Sequence, residues 1–437
     1  MTTTANWLDG GNKSSDDFQN KLDLRLSELV DWFRKSNPKS ANAAAAAATV
    51  LPGGNTRTVL HSFPFPLAAE SGKNTTITSK DGVEYTNFVS EYTSGIFGHS
   101  HPRIHKAVQE ALQIGINLGS VTGKEAEMGM LIQKRFPSME LMRFTNSGTE
   151  ANTLAISAAL AHSGRDKVLV FARGYHGSTL SFPVDQKPRT NLPYNFVIGE
   201  YNDVAATKQL LSDDIGAILV EPVQSAGGVI PATSEFLGFL RNAATTLNAV
   251  LIFDEVVTSR LHYDGMQGFY GIAPDMTTLG KWIGGGFSFG CFGGKRHIME
   301  QFDPSKPNYL SHSGTFNNNI FTMTAGIEGL KIVSAEEIER MNAMGDRLRT
   351  GIDELVFKAG LSSRIQARGF GSMIGFKFLG AAGETPKDIF YFEMLKRQIA
   401  VGRRGFVALN LIHTDADIDH FLQAVQEFLE SLSQLRD

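Results

Sequence analysis

From Pro102 onward, short apolar runs alternate with segments of helical character. A helix over 104–114 precedes an apolar run at Leu141–Thr145, a second helix starts at Ser147, and further runs follow at 168–171, 217–220 and 250–253. Strands that return in parallel need a long crossover, usually a helix, so this alternation predicts an α/β architecture with a mostly parallel sheet covered by helices. After Ala325 the pattern changes to a long helix, strands at Met373–Phe378 and 407–411, and a closing helix from Asp415, which reads as a separate α+β lobe. Before Pro102, Thr76-Ile77-Thr78 leads through Asp81-Gly82, a hairpin-turn signal, into Tyr85-Thr86-Asn87-Phe88. The first forty residues are polar apart from an amphipathic stretch at 22–33, and an alanine run fills 43–48, which suits a docking helix behind a mobile tail. The expected division is a tail and helix over 1–50, the N-terminal part of a small domain with a long loop over 51–100, a large domain over 101–325, and the C-terminal part of the small domain over 326–437.

A chain of 437 residues exceeds what one hydrophobic core organises, consistent with more than one lobe. Lysine and arginine number 41 against 45 aspartates and glutamates, so the net charge of -4 offers no electrostatic footprint for nucleic acid or an anionic membrane. A small molecule or another subunit is the expected partner. The single cysteine, Cys291, excludes an intramolecular disulfide and leaves too few thiols for a structural zinc site, so no metal is expected and a reducing compartment is favoured. The first ten residues lack a basic start followed by an apolar stretch, and no apolar segment reaches the roughly 20 residues that span a bilayer. A cytoplasmic location is the expectation.

Chemistry concentrates where the apolar runs end. Asp254 closes the run Ala249-Val250-Leu251-Ile252-Phe253, and Lys281 follows 27 positions later between Thr277-Thr278-Leu279-Gly280 and Trp282-Ile283. A carboxylate buried without a partner is costly, and a lysine is usually a solvated surface group, so both positions ask for a ligand. The pair is what pyridoxal phosphate requires: an acid that keeps the pyridine nitrogen protonated and an amine that forms the Schiff base. A phosphate needs a cradle. Leu141–Thr145 runs into Asn146-Ser147-Gly148-Thr149-Glu150, where two hydroxyls, a glycine turn and a helix amino end gather, although Ser147 and Glu150 also fit an ordinary capping box. Phe171-Ala172-Arg173-Gly174-Tyr175-His176-Gly177 places aromatic side chains at another strand's carboxyl end, the edge where open α/β sheets bind ligands. Tyr175 suits stacking on a flat ring, while His176 suits either contact or support. Glu221, which follows Val220, is likewise open to direct contact with the cofactor or to holding the surroundings of Lys281 together. Glu255 faces away from Asp254 along the strand and reads as structural.

These segments, with Asp254-Glu255-Val256, Thr278-Leu279-Gly280-Lys281 and Gly314-Thr315-Phe316, stand in an order that resembles the class III, fold-type I pyridoxal phosphate aminotransferases over about residues 50–435. Within that class the chain looks most like the glutamate-1-semialdehyde aminomutase-like branch, in particular its β-phenylalanine-type, β-amino acid aminotransferases. Pro52-Gly53-Gly54-Asn55-Thr56-Arg57, Thr258-Ser259-Arg260 and Arg404-Gly405-Phe406-Val407 carry that likeness. The resemblance implies a seven-stranded, mostly parallel sheet in the large domain and an α+β small domain. It also implies roles: Ser147, Gly148 and Thr149 bind the phosphate, Tyr175 and Val256 cover the two faces of the ring, Asp254 holds the ring nitrogen, and Lys281 forms the Schiff base. Thr315 would reach the phosphate of a neighbouring subunit, which makes the implied assembly a homodimer with shared active sites.

Arg57 resembles the arginine that holds the carboxylate of a β-amino acid, and Arg404 the one that serves the keto-acid acceptor, since a planar guanidinium binds carboxylates through two parallel bonds. Phe63 and Phe65 suit an aromatic or hydrophobic side chain. Where ω-aminotransferases of the class continue the Glu-Pro-x-Gln motif with Gly-Glu, this chain has Ser225-Ala226, and Val257 stands where they place glutamine. The expected reaction moves the amino group of a β-amino acid to a 2-oxo acid such as 2-oxoglutarate or pyruvate. The alternative uses the same site for an aminomutase or an amino acid racemase.

Overall fold

The computed structural model describes residues 12–186, 188–380 and 383–435, so the extreme amino end of the expected tail lies outside the described residues. Two compact units result, one of Met1–Tyr92, Gly98–Ser100 and Met341–Asp437, the other of Thr93–Phe97 and His101–Arg340. No described helix is long and apolar enough to cross a membrane.

The second unit is built on a seven-stranded sheet in the order Leu141–Thr145, Gly290–Gly294, Met276–Gly280, Val250–Asp254, Ile215–Val220, Lys167–Phe171, Asn195–Gly199. Only Gly290–Gly294 runs antiparallel to its neighbours. Because side chains alternate between faces with period two, each apolar run supplies both cores. Val168, Val170, Ala217, Leu219, Val250 and Ile252 pack on Ala151, Ala155, Ile156 and Ala159 of the helix Gly148–Ser163. Leu169, Phe171, Ile218, Val220, Leu251 and Phe253 pack on Phe236, Leu237, Leu240, Ala243 and Ala244 of the helix Ser234–Leu247. Burying one phenylalanine and two leucines on that second helix contributes on the order of 5–8 kcal/mol before entropy, and Leu240→Ala alone should cost about 2–5 kcal/mol. The class of sheet and its helical cover therefore follow the alternation in the sequence.

The other unit joins the two ends of the described chain. Ala69–Lys73, Thr76–Ser79 and Glu84–Asn87 form an antiparallel meander, and Ile399–Ala400 adds parallel to its last strand. A three-stranded sheet combines Ile365–Phe370, Met373–Phe378 and Phe406–Ala408. The strand expected over 407–411 ends at Ala408 because Asn410 folds the chain into a turn, accepting from Ile412 N at 3.0 Å while its own N–H donates to His413 Nδ1 at 2.9 Å. The amphipathic stretch lies in the helix Asn12–Ser36, which buries Leu22, Leu29, Val30 and Phe33, the last 5.1 Å from the ring of Phe65 and 5.4 Å from that of Phe392.

Candidate active site

All the strand-end residues singled out in the large unit gather at the carboxyl edge of the parallel strands. Ser147 caps the helix Gly148–Ser163, its Oγ accepting from Glu150 N at 3.2 Å, while the Glu150 carboxylate reaches back to Asn146 N at 3.0 Å. Cap and cradle are thus compatible. Helix geometry leaves the N–H groups of Gly148 and Thr149 without intrahelical acceptors, and the amino end favours a negative charge. The turn is held from three sides: Thr145 Oγ1 donates to Ser147 O at 3.1 Å, Ser178 N to Thr149 Oγ1 at 3.3 Å, and Asn146 Nδ2 to Asn317 Oδ1 at 3.0 Å. Val256 presses so closely on Gly148 that a Cβ there would meet its methyl carbons at 2.8 and 2.9 Å. Glycine is therefore obligatory by contact.

Asp254 is buried and hydrogen-bonded at both carboxylate oxygens. Oδ2 accepts from Asn152 Nδ2 at 2.8 Å and stands 2.7 Å from His176 Nδ1; Oδ1 accepts from Val256 N at 3.0 Å. Burial depresses the basicity of His176, but the hydrogen bond and charge of Asp254, helped by Glu221, outweigh it and raise the imidazole pKa. His176 thus supports Asp254 directly. Glu221 is also buried; Oε1 accepts from Tyr175 N at 2.8 Å and Oε2 from Ser225 N at 3.3 Å, tying the half-exposed Tyr175 loop to the strand edge. Burial pushes the Glu221 carboxyl up to about 7, with His176 opposing and the like charge of Asp254 assisting.

Lys281 begins the short turn Lys281–Gly284 in a left-handed conformation, φ 52°, directly after the strand that pairs Thr278 with Asp254. A non-glycine residue held there costs about 1–3 kcal/mol and persists only when its surroundings enforce it. Trp282 supplies that enforcement. Its ring is fully buried, its Nε1 donates to Ser259 Oγ at 3.0 Å, and the Arg135 guanidinium lies 4.6 Å above it while donating to Ser259 O and Val333 O at 3.1 Å each. Glu255 accepts from Thr258 Oγ1 at 2.6 Å and from the amides of Met266 and Gln267, which gives it a structural place. Thr315 is exposed on the loop that follows His312.

The remaining residues belong to the smaller unit and form a cluster of their own. Arg57 is exposed, forms an ion pair with Glu91, and sits 5.6 Å over the Tyr92 ring, which stacks on Phe406 at 5.7 Å. Burial raises the Tyr92 hydroxyl pKa, against the pull of Arg57 and Arg404, so both guanidiniums bear on one phenol. Ser90, Glu91, Tyr92 and Thr93 all have positive φ, a left-handed turn that presents Glu91 to Arg57. Phe63 is exposed under the Arg34 guanidinium, 5.5 Å away, whereas Phe65 packs on Phe33. Arg403, beside Arg404, is the arginine that holds this loop, donating to Ser62 Oγ at 2.6 Å and to the Phe63 carbonyl while pairing with Asp388 at 2.8 Å. Sequence reasoning missed Asn152, Thr278, Glu91 and Tyr92.

The donor set fits pyridoxal phosphate: an anion-ready helix end, a buried carboxylate at the end of its strand, and a constrained lysine. The family model for class-III aminotransferases matches residues 60–429. β-Phenylalanine transaminase of Variovorax paradoxus is 42% identical over 93% of this chain and 96% of that protein, and its crystal structure superposes with a TM-score of 0.91 over 94% of this chain and 98% of that one. Glutamate-1-semialdehyde 2,1-aminomutase 2 of Bacillus licheniformis is 35% identical over 92% of this chain and all of that protein. A transaminase solved with pyridoxal phosphate bound is 31% identical, with a TM-score of 0.85 over 91% of this chain and 98% of that one.

Proposed function

This chain belongs to the class-III aminotransferases, enzymes that use pyridoxal phosphate, and from that premise we propose that it transfers the amino group of a β-amino acid with an aromatic or hydrophobic, β-phenylalanine-like side chain to a 2-oxo acid such as 2-oxoglutarate or pyruvate. The observation that carries the donor class is the similarity along nearly the whole chain to β-phenylalanine transaminase. Arg57 over the Tyr92 ring, with the charge of Arg404 acting on the same phenol, supports it, because donor and acceptor each bring a carboxylate.

When bound, the cofactor supplies an aldehyde that takes up the amino group and a protonated ring that draws electron density from the neighbouring carbon. The N–H groups of Gly148 and Thr149, with the hydroxyls of Ser147 and Thr149, hold its phosphate. Asp254 would keep the ring nitrogen protonated and Tyr175 and Val256 would hold the ring, while His176 secures Asp254 and Glu221 the Tyr175 loop. Lys281 would hold the cofactor through its Nζ, and the same amine, when free, would be the group that moves a proton at the amine-bearing carbon of the donor. Arg57 holds the β-amino acid carboxylate, Arg404 the carboxylate of the acceptor, and Phe63 and Phe65 line the way for an apolar side chain. Thr315, exposed on its loop, completes the phosphate site of a second copy in a homodimer.

A donor screen tests the reading: β-phenylalanine, α-amino acids and ω-amines, each scored by glutamate formed from 2-oxoglutarate. β-Phenylalanine should lead, and Arg57→Ala should lose activity toward it far more than toward amines that lack a carboxylate; equal losses refute the role of Arg57. Borohydride reduction and mass spectrometry should find the pyridoxyl adduct at position 281, and an adduct elsewhere removes Lys281 from the mechanism. The similarity to the aminomutase supports a second reading, in which product forms from an amino-aldehyde with no 2-oxo acid added.

A further inference from the structure

Asn152 is a buried side chain on a helix whose other inward residues are mostly alanine and isoleucine. Asparagine weakens a helix interior, and each buried amide hydrogen left without an acceptor would cost more, so its retention there asks for a reason. Its Nδ2 donates to Asp254 Oδ2 at 2.8 Å and to the His176 carbonyl at 3.0 Å, and its Oδ1 accepts from Thr278 Oγ1 at 2.6 Å. A carboxylate and a carbonyl can only accept, which fixes the NH2 side of the amide, and the Thr278 hydroxyl fixes the oxygen side. One side chain thereby joins the phosphate-turn helix, the His176 loop, the Asp254 strand and the strand that leads into Lys281. The two donors on Oδ2, Asn152 and His176, together with Val256 N at 3.0 Å and the more distant Thr278 Oγ1 at 3.5 Å on Oδ1, set the plane of the carboxylate.

We propose that Asn152 is a positioning residue that orients Asp254 toward the cofactor's ring nitrogen, with Thr278 holding the amide in the required sense. The inference rests on Asp254 being the partner of that nitrogen. It assigns Asn152 no contact with cofactor or substrate, so its effect must pass through Asp254.

A double-mutant cycle on the reconstituted holoenzyme, with β-phenylalanine and 2-oxoglutarate, separates the possibilities. Asn152→Ala should lower kcat about tenfold or more, with KM and the Kd for pyridoxal phosphate changed less than about threefold, and on an Asp254→Asn background it should change kcat by less than about twofold. The pH midpoint of the visible absorbance change of the loaded protein should move by at least about half a unit in Asn152→Ala and stay at the Asp254→Asn value in the double variant. Multiplicative losses, or an unmoved midpoint, overturn the proposal. Full activity in Asp254→Asn would instead overturn the role of Asp254 on which it rests. If Asn152→Ala does not fold, Thr278→Val removes the hydroxyl that orients the amide: a fall in kcat of about threefold, absent on the Asp254→Asn background, is expected, and no fall overturns the proposal.

Discussion

Gly290→Ala is the sharpest test of the phosphate cradle, because the added methyl group lies in a strand and touches no ligand. A Cβ at position 290 would fall 2.1 Å from the Ser147 carbonyl oxygen and 2.2 Å from Thr145 Oγ1. Carbon and oxygen rest about 3.3 Å apart, so the atoms must separate by roughly 1 Å. Neither obstacle is a flexible tip. The Ser147 carbonyl accepts the bond from Ala151 N at 3.0 Å that starts the helix, and Thr145 lies directly opposite Gly290 in the antiparallel ladder. The 147–149 turn is what yields. Overpacking of this kind costs about 1–3 kcal/mol of stability. The larger effect is on the anion: losing one charge-assisted N–H bond and weakening a second removes on the order of 3 kcal/mol, roughly a hundredfold in affinity. Equilibrium titration of the apoprotein with pyridoxal phosphate, followed by absorbance, reads this directly. Gly238→Ala is the control, since its Cβ meets nothing within 4 Å inside a helix; it should leave affinity unchanged and stabilise by up to about 1 kcal/mol. If Gly290→Ala binds the cofactor within about threefold of the parent while its melting temperature falls, the phosphate sits elsewhere and the reading of the turn is wrong.

Three further outcomes are expected. Glu91→Gln frees the Arg57 guanidinium from its ion pair, so KM for a β-amino acid donor should fall about two- to fivefold with kcat unchanged, and steady-state kinetics showing the same change for carboxylate-free amines would refute competition at Arg57. Glu221, whose folded pKa of about 7 lies above its ordinary 4.5, binds its proton more tightly folded than unfolded; its stabilising contribution is complete below about 4.5 and is lost as pH rises through about 7. Calorimetry of the apoproteins should therefore find Glu221→Gln gaining on the parent between about pH 5 and pH 8, and a pH-independent difference would refute the shift. Cys291, buried in the antiparallel strand Gly290–Gly294 with its thiol pKa raised by burial, should react with a disulfide reagent only as fast as the protein unfolds, so rapid labelling would contradict its placement.

What could be read from the residues divides along physical lines. Runs such as 168–171 and 217–220 announce strands because both faces are apolar, and Asp254 and Lys281 stand out because ionisable groups bordering such runs need partners. The strands Met276–Gly280 and Gly290–Gly294 carry little local signal: the first has no continuous apolar run, its two threonines standing between Met276 and Leu279, and the three glycines of the second are poor strand formers read alone. They are strands because their neighbours impose it, and the glycines are what let the Ser147 turn and the adjacent strand come close. Glu91 was invisible for a similar reason. Its pairing with Arg57 spans 34 residues and depends on a left-handed turn of four non-glycine residues, which no local propensity foretells. Asn152 left a faint trace, a polar amide on an otherwise apolar helix face, which acquires meaning only once Asp254 lies opposite.

The helix Gly148–Ser163 makes the two halves of cofactor recognition mechanically one. Its amino end is the anion site, and Asn152, five residues beyond Ser147 and so about 7.5 Å along the axis, grips Asp254. A rigid helix cannot shift at one of these points and stay at the other. The displacement forced by Gly290→Ala at the turn should accordingly reach the Asp254 carboxylate. The variant's loaded form should then show a moved absorbance midpoint in pH titration as well as weaker binding. Weak binding with the parent's midpoint would mean that the turn flexes independently of the helix, and the linkage of phosphate grip to ring grip through Asn152 would fail.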